Sequence, residues 1–219
     1  MLIAFEAVER TGSVCAWDGS ERAFERCPGQ AEAHLVRLID LYLRAHAPVS
    51  ALAVAAGPGS FTGLRVAALA ARTIAWTDRL PVHAVDSLAA CATQQGDGLW
   101  LVLLPLKRDT TFHGLFRVTE GRLTTLSATA ACHDDAVPGL PPESLEAVAI
   151  GPALDTKPGL AERWVPGIAH GDPACPDARG VARLAGQVAA TPWDRVLPLY
   201  HQEPAPVLQR AAAREKSLA

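Results

Sequence analysis

The segment Gly57-Pro58-Gly59-Ser60-Phe61-Thr62-Gly63-Leu64-Arg65 constrains the fold more than any other stretch of the chain. Before it, residues 49–56 are small and β-branched and read as a buried strand, which glycine and proline together cannot extend. After it, residues 63–76 read as a helix rich in alanine (Ala67, Ala68, Ala70, Ala71, Ala75), with Ser60 or Thr62 able to cap it. A buried strand, a glycine turn and a tightly packing helix belong to the α/β class. Free N–H groups and the positive end of the helix dipole converge at the turn. Two readings of Gly57, Gly59, Ser60, Thr62 and Gly63 therefore stand side by side, a structural cap and a weak anion cradle. No Gly-Lys-Ser/Thr follows, so it is not a Walker A loop, and its glycine spacing departs from the dinucleotide fingerprint.

The flanking sequence supplies the rest of a layered fold. Apolar runs at 2–5 and 13–17, the turn pair Asp18-Gly19, and residues 22–26 predict an antiparallel meander. Residues 30–46 then change period: Leu35, Leu38, Ile39, Tyr42 and Leu43 line one helix face, and Pro48 closes it. A strand at 80–85 and a helix beginning at Asp86-Ser87 complete a first unit. Gln94-Gln95-Gly96-Asp97-Gly98 is polar and glycine-rich, the best boundary in the chain. A second, weaker round follows, with strands at 99–104, 112–118, 122–126 and 147–150 and a helix at 177–190. The expectation is two similar α/β halves, residues 1–97 and 98–201, with the tail 202–219 packing back on the first.

Composition excludes several function classes. The net charge of −3 over 219 residues offers no basic excess to neutralise phosphates, so contact with RNA is expected only through a partner. Cys15, Cys27, Cys91, Cys132 and Cys175 are odd in number, widely spaced and free of CxxC pairs, which argues against a disulfide framework and a zinc site. The N-terminus has no basic region before an apolar stretch, and no segment is long and apolar enough for a membrane span. A cytoplasmic protein with no membrane contact is expected.

With these residues in view, GPGSFTGLR and its alanine-rich helix resemble the TsaB (YeaZ-like) family, a branch of the ASKHA superfamily of actin-like and Hsp70-like folds once labelled glycoproteases. The resemblance extends through Ile3-Ala4-Phe5-Glu6 and Ser13-Val14, Cys27-Pro28 with His34 and Leu38, residues 81–87, residues 104–112, and the tail at 197–204. It implies two RNase H-like halves with mixed sheets flanked by helices, the second half reduced. It also implies a non-catalytic subunit in the synthesis of N6-threonylcarbamoyladenosine (t6A) in tRNA. Its partners would be a TsaD-like catalytic subunit and a TsaE-like ATPase, with a homodimer when alone and tRNA reached only indirectly. The docking face implied is the pair of helices at 30–46 and 63–76, with His34, Leu35, Leu38, Tyr42, Leu64, Arg65, Ala68 and Arg72 as interface residues.

The chain departs from the family pattern where phosphate would be held. The family's Asp-Thr-Ser of the first hairpin stands here as Glu6-Ala7-Val8, and Ala7 and Val8 offer no donor beyond the backbone. The family's Asp and Glu at the start of the second half stand as Pro105 and Thr110. No cofactor and no metal are therefore expected, and unaided nucleotide hydrolysis is not. The alternative is an ASKHA-fold enzyme acting alone, a peptidase or small-molecule kinase. Ser60, His83 and Asp86 supply the residue types of a nucleophilic triad without the elbow that would expose the serine. His133-Asp134-Asp135 lacks a second ligand cluster and reads as a solvated loop.

Overall fold

Continuous burial along residues 3–6, 13–16 and 52–57 builds a sheet with two dry faces, described by a computed structural model over residues 1–173 and 176–199. β1 (Leu2–Glu6), β2 (Ser13–Trp17) and β3 (Glu21–Arg26) form an antiparallel meander with Phe5 opposite Val14. α1 (Ala31–Ala45) leads to β4 (Ala51–Gly57), parallel to β1, and α2 (Phe61–Asp78) leads to β5 (Val82–Asp86), parallel to β4. The strand order is β3-β2-β1-β4-β5. α3 (Ser87–Gln95) follows, its N-terminus capped by the Asp86 carboxylate, which accepts from Ala89 N–H at 2.9 Å.

The second sheet repeats this plan. β6 (Gly98–Lys107), β7 (Thr110–Thr119) and β8 (Arg122–His133) are an antiparallel meander, β9 (Val148–Ile150) adds in parallel to β6, and β10 (Ala169–His170) to β9. The order β8-β7-β6-β9-β10 matches that of the first sheet strand for strand. The two-half mixed-sheet architecture read from sequence is borne out, and so is the reduction of the second half. Where the first half has the 15-residue α1, the second has a 3-10 turn, Pro142–Glu146. Where the first has the 18-residue α2, the second has α4 (Ala153–Thr156) and α5 (Leu160–Trp164). Neither short helix, nor the two-residue β10, had a sequence expectation, because elements below two turns show no period.

Three apolar clusters stack these layers. α1 and α2 cover one face of the first sheet through Leu35, Leu38, Ala67 and Ala71 against Ile3, Phe5, Leu52 and Val54. α4 and α5 cover the outer face of the second sheet against Leu101, Leu103 and Leu115. Between the sheets lie α3 and α6 (Ala178–Ala185), packed on Ala4, Cys15, Ala53 and Val85 from one side and Val102, Phe112 and Phe116 from the other. α6 thus follows the second sheet in sequence but lies against the first. Residues beyond it stay there: Thr191 N–H donates to Val82 O and Leu199 N–H to Ala56 O, both at 2.7 Å. The tail at 202–219 lies outside the described residues.

The helix expected over 177–190 ends at Ala185, with Gly186 as its C-cap. β8 runs to His133, so that histidine ends a strand and only Asp134 and Asp135 lie in the turn. Among the described residues no helix is long and apolar enough to cross a membrane.

Two glycines separate packing from open space. A Cβ on Gly180 would strike the Ala90 carbonyl of α3, whereas one on Gly186, at φ −69°, would meet nothing within 4 Å. Gly180→Ala is expected to lower stability by ~1–3 kcal/mol through overpacking. Gly186→Ala should raise it by ~0.4–1 kcal/mol by restricting the unfolded chain. Urea midpoints of the two variants check the pair, and equal shifts would refute the close α3–α6 contact.

Candidate functional site

The C-terminal ends of β1 and β4 bring the hairpin at Glu6-Ala7-Val8 against the loop Gly57–Ser60. Ser60 N–H donates to the Val8 carbonyl at 2.6 Å. A Cβ at Gly59 would stand 2.6 Å from that oxygen, and one at Gly63 would collide with the carbonyl of Ala7. Gly57 adopts φ +132° with the Leu199 carbonyl oxygen 2.7 Å from where its Cβ would be. The glycines of this motif thus permit backbone-to-backbone approach. Ser60 is the N-cap of α2: its Oγ accepts from Gly63 N–H at 3.3 Å, and its carbonyl from Leu64 N–H at 2.9 Å. Thr62 is exposed on the first turn. The amides of Ser60, Gly63 and Leu64 are spoken for within the chain.

Glu6 turns the other way, onto the inner face of the sheet. Its Oε2 accepts from Val8 N–H at 2.8 Å and its Oε1 from the Ser13 hydroxyl at 2.6 Å. Ser13 Oγ in turn accepts from Ala178 N–H, at the N-terminus of α6, at 2.9 Å. The preceding residue, Asp177, is fully buried and pairs with Arg179 at 2.6 Å and Arg26 at 3.2 Å. Its backbone N–H donates to the Gln94 side chain of α3. Arg179 also lies over the Phe24 ring, 4.3 Å from its centroid. Desolvation raises the Glu6 carboxyl from 4.5 to about 7 against the lowering effect of its two hydrogen bonds, with the charge of Asp177 adding to the rise. Sequence reasoning singled out Glu6 but missed Ser13, Asp177, Arg26 and Arg179. Ser13 and the Ala178 amide that it accepts from lie 165 positions apart, and only α6 brings the group together.

Where the halves meet, Val8, Glu9 and residues 59–61 face Leu104, Pro105, Leu106 and Phe112 across a cleft of ≈ 250 Å³. Its second wall is apolar, and Pro105 stands where the family pattern carries a carboxylate. The triad residue types are engaged separately: His83 Nδ1 bonds the Val188 carbonyl at 3.0 Å, and Asp86 caps α3. Asp134 pairs with Lys157 at 2.7 Å. Among the described residues no group of three or more His, Cys, Asp or Glu side chains could hold a metal ion. Burial pushes the Cys15 and Cys91 thiols up to about 12, so neither is a ready nucleophile. Cys175 lies outside the described residues.

The interface residues expected on α1 and α2 divide by burial. Leu35, Leu38, Tyr42, Leu64 and Ala68 are buried, packed on the chain's own core, whereas His34 and Arg65 are exposed and Arg72 is half-buried. The apolar side chains that these helices present outward are Val36 and Leu41 on α1 and Phe61, Leu69 and Trp76 on α2, the last two 65% and 63% exposed. Amphipathic periodicity finds the buried stripe of a helix, and on α1 that stripe, with Leu35, Leu38 and Tyr42, is the face packed on the chain's own core.

Two equivalent mixed sheets, an apolar inter-half cleft and a glycine-packed loop define an ASKHA-type fold. Comparison with known proteins agrees. The profile of the family described as TsaD, tRNA N6-adenosine threonylcarbamoyltransferase, matches residues 34–146. The Bacillus subtilis tRNA threonylcarbamoyladenosine biosynthesis protein TsaB is 36% identical over 77 residues, 34% of this chain and 34% of that protein. The match thus spans about a third of that relative's length. A Pseudomonas aeruginosa structure described as an uncharacterized protein with similarity to peptidase YEAZ superposes with a TM-score of 0.77 at 22% identity, over 92% of this chain and 99% of its own. YeaZ from Pseudomonas aeruginosa gives 0.75 at 22% identity, over 91% and 98%. The chain belongs to this threonylcarbamoyltransferase-related family, as a TsaB/YeaZ-like member of the glycoprotease-like superfamily.

The Glu6 environment predicts a pH dependence of stability. Its folded value of about 7 lies above the ordinary 4.5, so the unfolded chain loses this proton first. Raising pH from ~4.5 to ~7 therefore costs folded stability, on the order of 3 kcal/mol, and above ~7 the loss is constant. Glu6→Gln should flatten that decline relative to the parent chain. Urea titrations at pH 5 and pH 8 measure it, and parallel pH profiles for the two proteins would show that Glu6 is not the group responsible.

Proposed function

We propose that this chain is a non-catalytic binding subunit in the synthesis of t6A in tRNA, acting with a TsaD-like catalytic subunit. The observation that carries this reading is the contrast between its two candidate surfaces. The hairpin and loop where relatives of this fold would hold phosphate are filled by the chain's own contacts. The outer face of α1 and α2 leaves Val36, Leu41, Leu69 and Trp76 in water. Contiguous exposed apolar residues rimmed by charge are the mark of a protein interface. His34, Arg65 and Arg72 lie at the surface of the same two helices and form its polar rim, while the buried Leu35, Leu38, Tyr42, Leu64 and Ala68 hold the helices in place. A TsaE-like ATPase would join the assembled complex, and tRNA would be reached through the catalytic subunit. In the absence of that subunit two copies of the chain would pair. The name peptidase attached to one structural relative finds no support in Ser60, His83 and Asp86, whose hydrogen bonds serve capping and packing.

Reconstitution tests the reading. Mixed with the TsaD-like and TsaE-like proteins of the same organism, this chain should be required for t6A formation on tRNA, and alone it should turn over neither ATP nor peptide. Leu69→Ala and Trp76→Ala should each weaken calorimetric binding to the TsaD-like protein by ~1–3 kcal/mol, with unchanged melting temperatures. ATP hydrolysis by the isolated chain, or t6A formation in its absence, would overturn the proposal.

A further inference from the structure

The two helices between the sheets stop short of one end of their layer. Leu2 opens β1 and lies opposite Trp17, the last residue of β2. Side chains alternate along a strand, so both share the inner face with Ala4 and Cys15. His83, opposite Ala53, joins them from β5. Between these three side chains and the last turns of the helices lies a cavity of ≈ 530 Å³. Thr93 and Gly96 line it from the end of α3, Ala182, Arg183 and Ala185 from α6, and Gly121 from the turn between β7 and β8.

This cavity is distinct from the cleft at Val8 and Gly59. That cleft sits at the carboxyl ends of β1 and β4, where open α/β sheets take their ligands. The cavity sits at the opposite ends of the same strands. Its volume lies within the ~300–1,000 Å³ usual for small-molecule sites. Its rim is tied: the Gln187 side chain donates to the Gly121 carbonyl at 2.9 Å and accepts from Leu123 N–H at 2.8 Å.

The polar groups of the lining favour an anion. Arg183 spends only Nη1 on the chain, donating to the carbonyls of Thr93 at 3.3 Å and Gln94 at 3.1 Å. No carboxylate pairs with it among the described residues, which leaves Nε and Nη2, one edge of the guanidinium, as available donors. The carboxylate of Asp97, beside Gly96, already accepts from the amides of Glu120 at 2.7 Å and Gly121 at 3.0 Å. His83 Nδ1 lies 3.0 Å from the Val188 carbonyl, which can only accept, so in the neutral ring Nε2 is the acceptor. The remaining walls are apolar, and Trp17 supplies a flat face.

We propose that this cavity binds a small organic carboxylate with a flat apolar body. The body lies against Trp17 and Leu2. The carboxylate takes the unused edge of Arg183, because a planar fork pairs with it in bidentate fashion. His83 Nε2 accepts from an N–H or hydroxyl carried on the body. Such a ligand touches the first sheet, both interlayer helices and the β7–β8 turn, so it binds between the halves. The site stands apart from the docking face, and either can hold without the other.

Indole-3-acetate is the probe, and indole-3-acetamide, which keeps the shape and loses the charge, is its control. Calorimetric titration of the purified full chain should show saturable binding of the acetate, at least ~10-fold tighter than the amide. The acetate should also raise the melting temperature. Arg183→Gln should remove the preference, and Arg183→Lys should keep part of it. Leu2→Phe narrows the cavity and leaves Arg183 intact, so it should weaken both probes. It keeps the site testable if loss of the Thr93 and Gln94 contacts loosens α3. No saturable binding of the acetate up to about 10 mM, where a ligand of this size should fill its site, would overturn the proposal. Equal binding of the two probes by the parent chain would overturn it too, since the cavity would then select no charge. Binding that neither Arg183→Gln nor Leu2→Phe alters would place the probe elsewhere, and the proposal would fall.

Discussion

The hydroxyl of Ser13 stands between a buried carboxyl and the first amide of α6, and the layered structure hangs on that junction. It donates to Glu6 and accepts from Ala178 N–H, joining the end of β1, the start of β2 and the helix sandwiched between the sheets. Burying Glu6 is costly, as its raised pKa records, and the hydrogen bonds from Ser13 and Val8 offset only part of that cost. Beside it, Asp177 is held by Arg179, Arg26 and Gln94, so that β3 and α3 are tied to the same point. An apolar core can slide by a rotamer; a buried polar junction of this kind accepts one register.

That junction also decides what the inter-half cleft can do. In this fold the first hairpin and the strand-to-helix loop would be the places to hold a phosphate. Here the hairpin carboxyl faces inward to its own sheet, and the Ser60 and Gly63 amides are spent on Val8 and on the Ser60 cap. The glycines at 57, 59 and 63 serve close approach of the loop to the hairpin and to the returning segment. A rigidly seated loop has a second effect, since it fixes where α2 begins and so which residues of α2 face water. Alanines at 67, 71 and 75 go down onto the sheet, and Leu69 and Trp76 are left outside. One motif thus both lines the cleft and aims the exposed helix face.

Much of this was legible in the chain alone. The meander, the Asp18-Gly19 turn, both long helices, the helix starts at Ser60 or Thr62 and at Asp86-Ser87, and the repetition of the α/β plan followed from period, turn chemistry and capping, which are properties of residues close in sequence. The Glu6-Ala7-Val8 hairpin, without its hydroxyls, already spoke against a phosphate grip. Hydrophobic periodicity marked Leu35, Leu38 and Tyr42, and the family resemblance added Leu64 and Ala68, but periodicity reports burial without saying against what. Only tertiary structure showed that the core of the chain itself occupies that stripe and that Leu69 and Trp76 stand exposed outside it. Only tertiary structure placed α6 under the first sheet, brought Asp177 and Arg26 together across 151 positions, and folded residues 191–199 back along β5 and α2. Local rules cannot reach such pairings, because their free energy comes from surfaces that meet only after both sheets have formed.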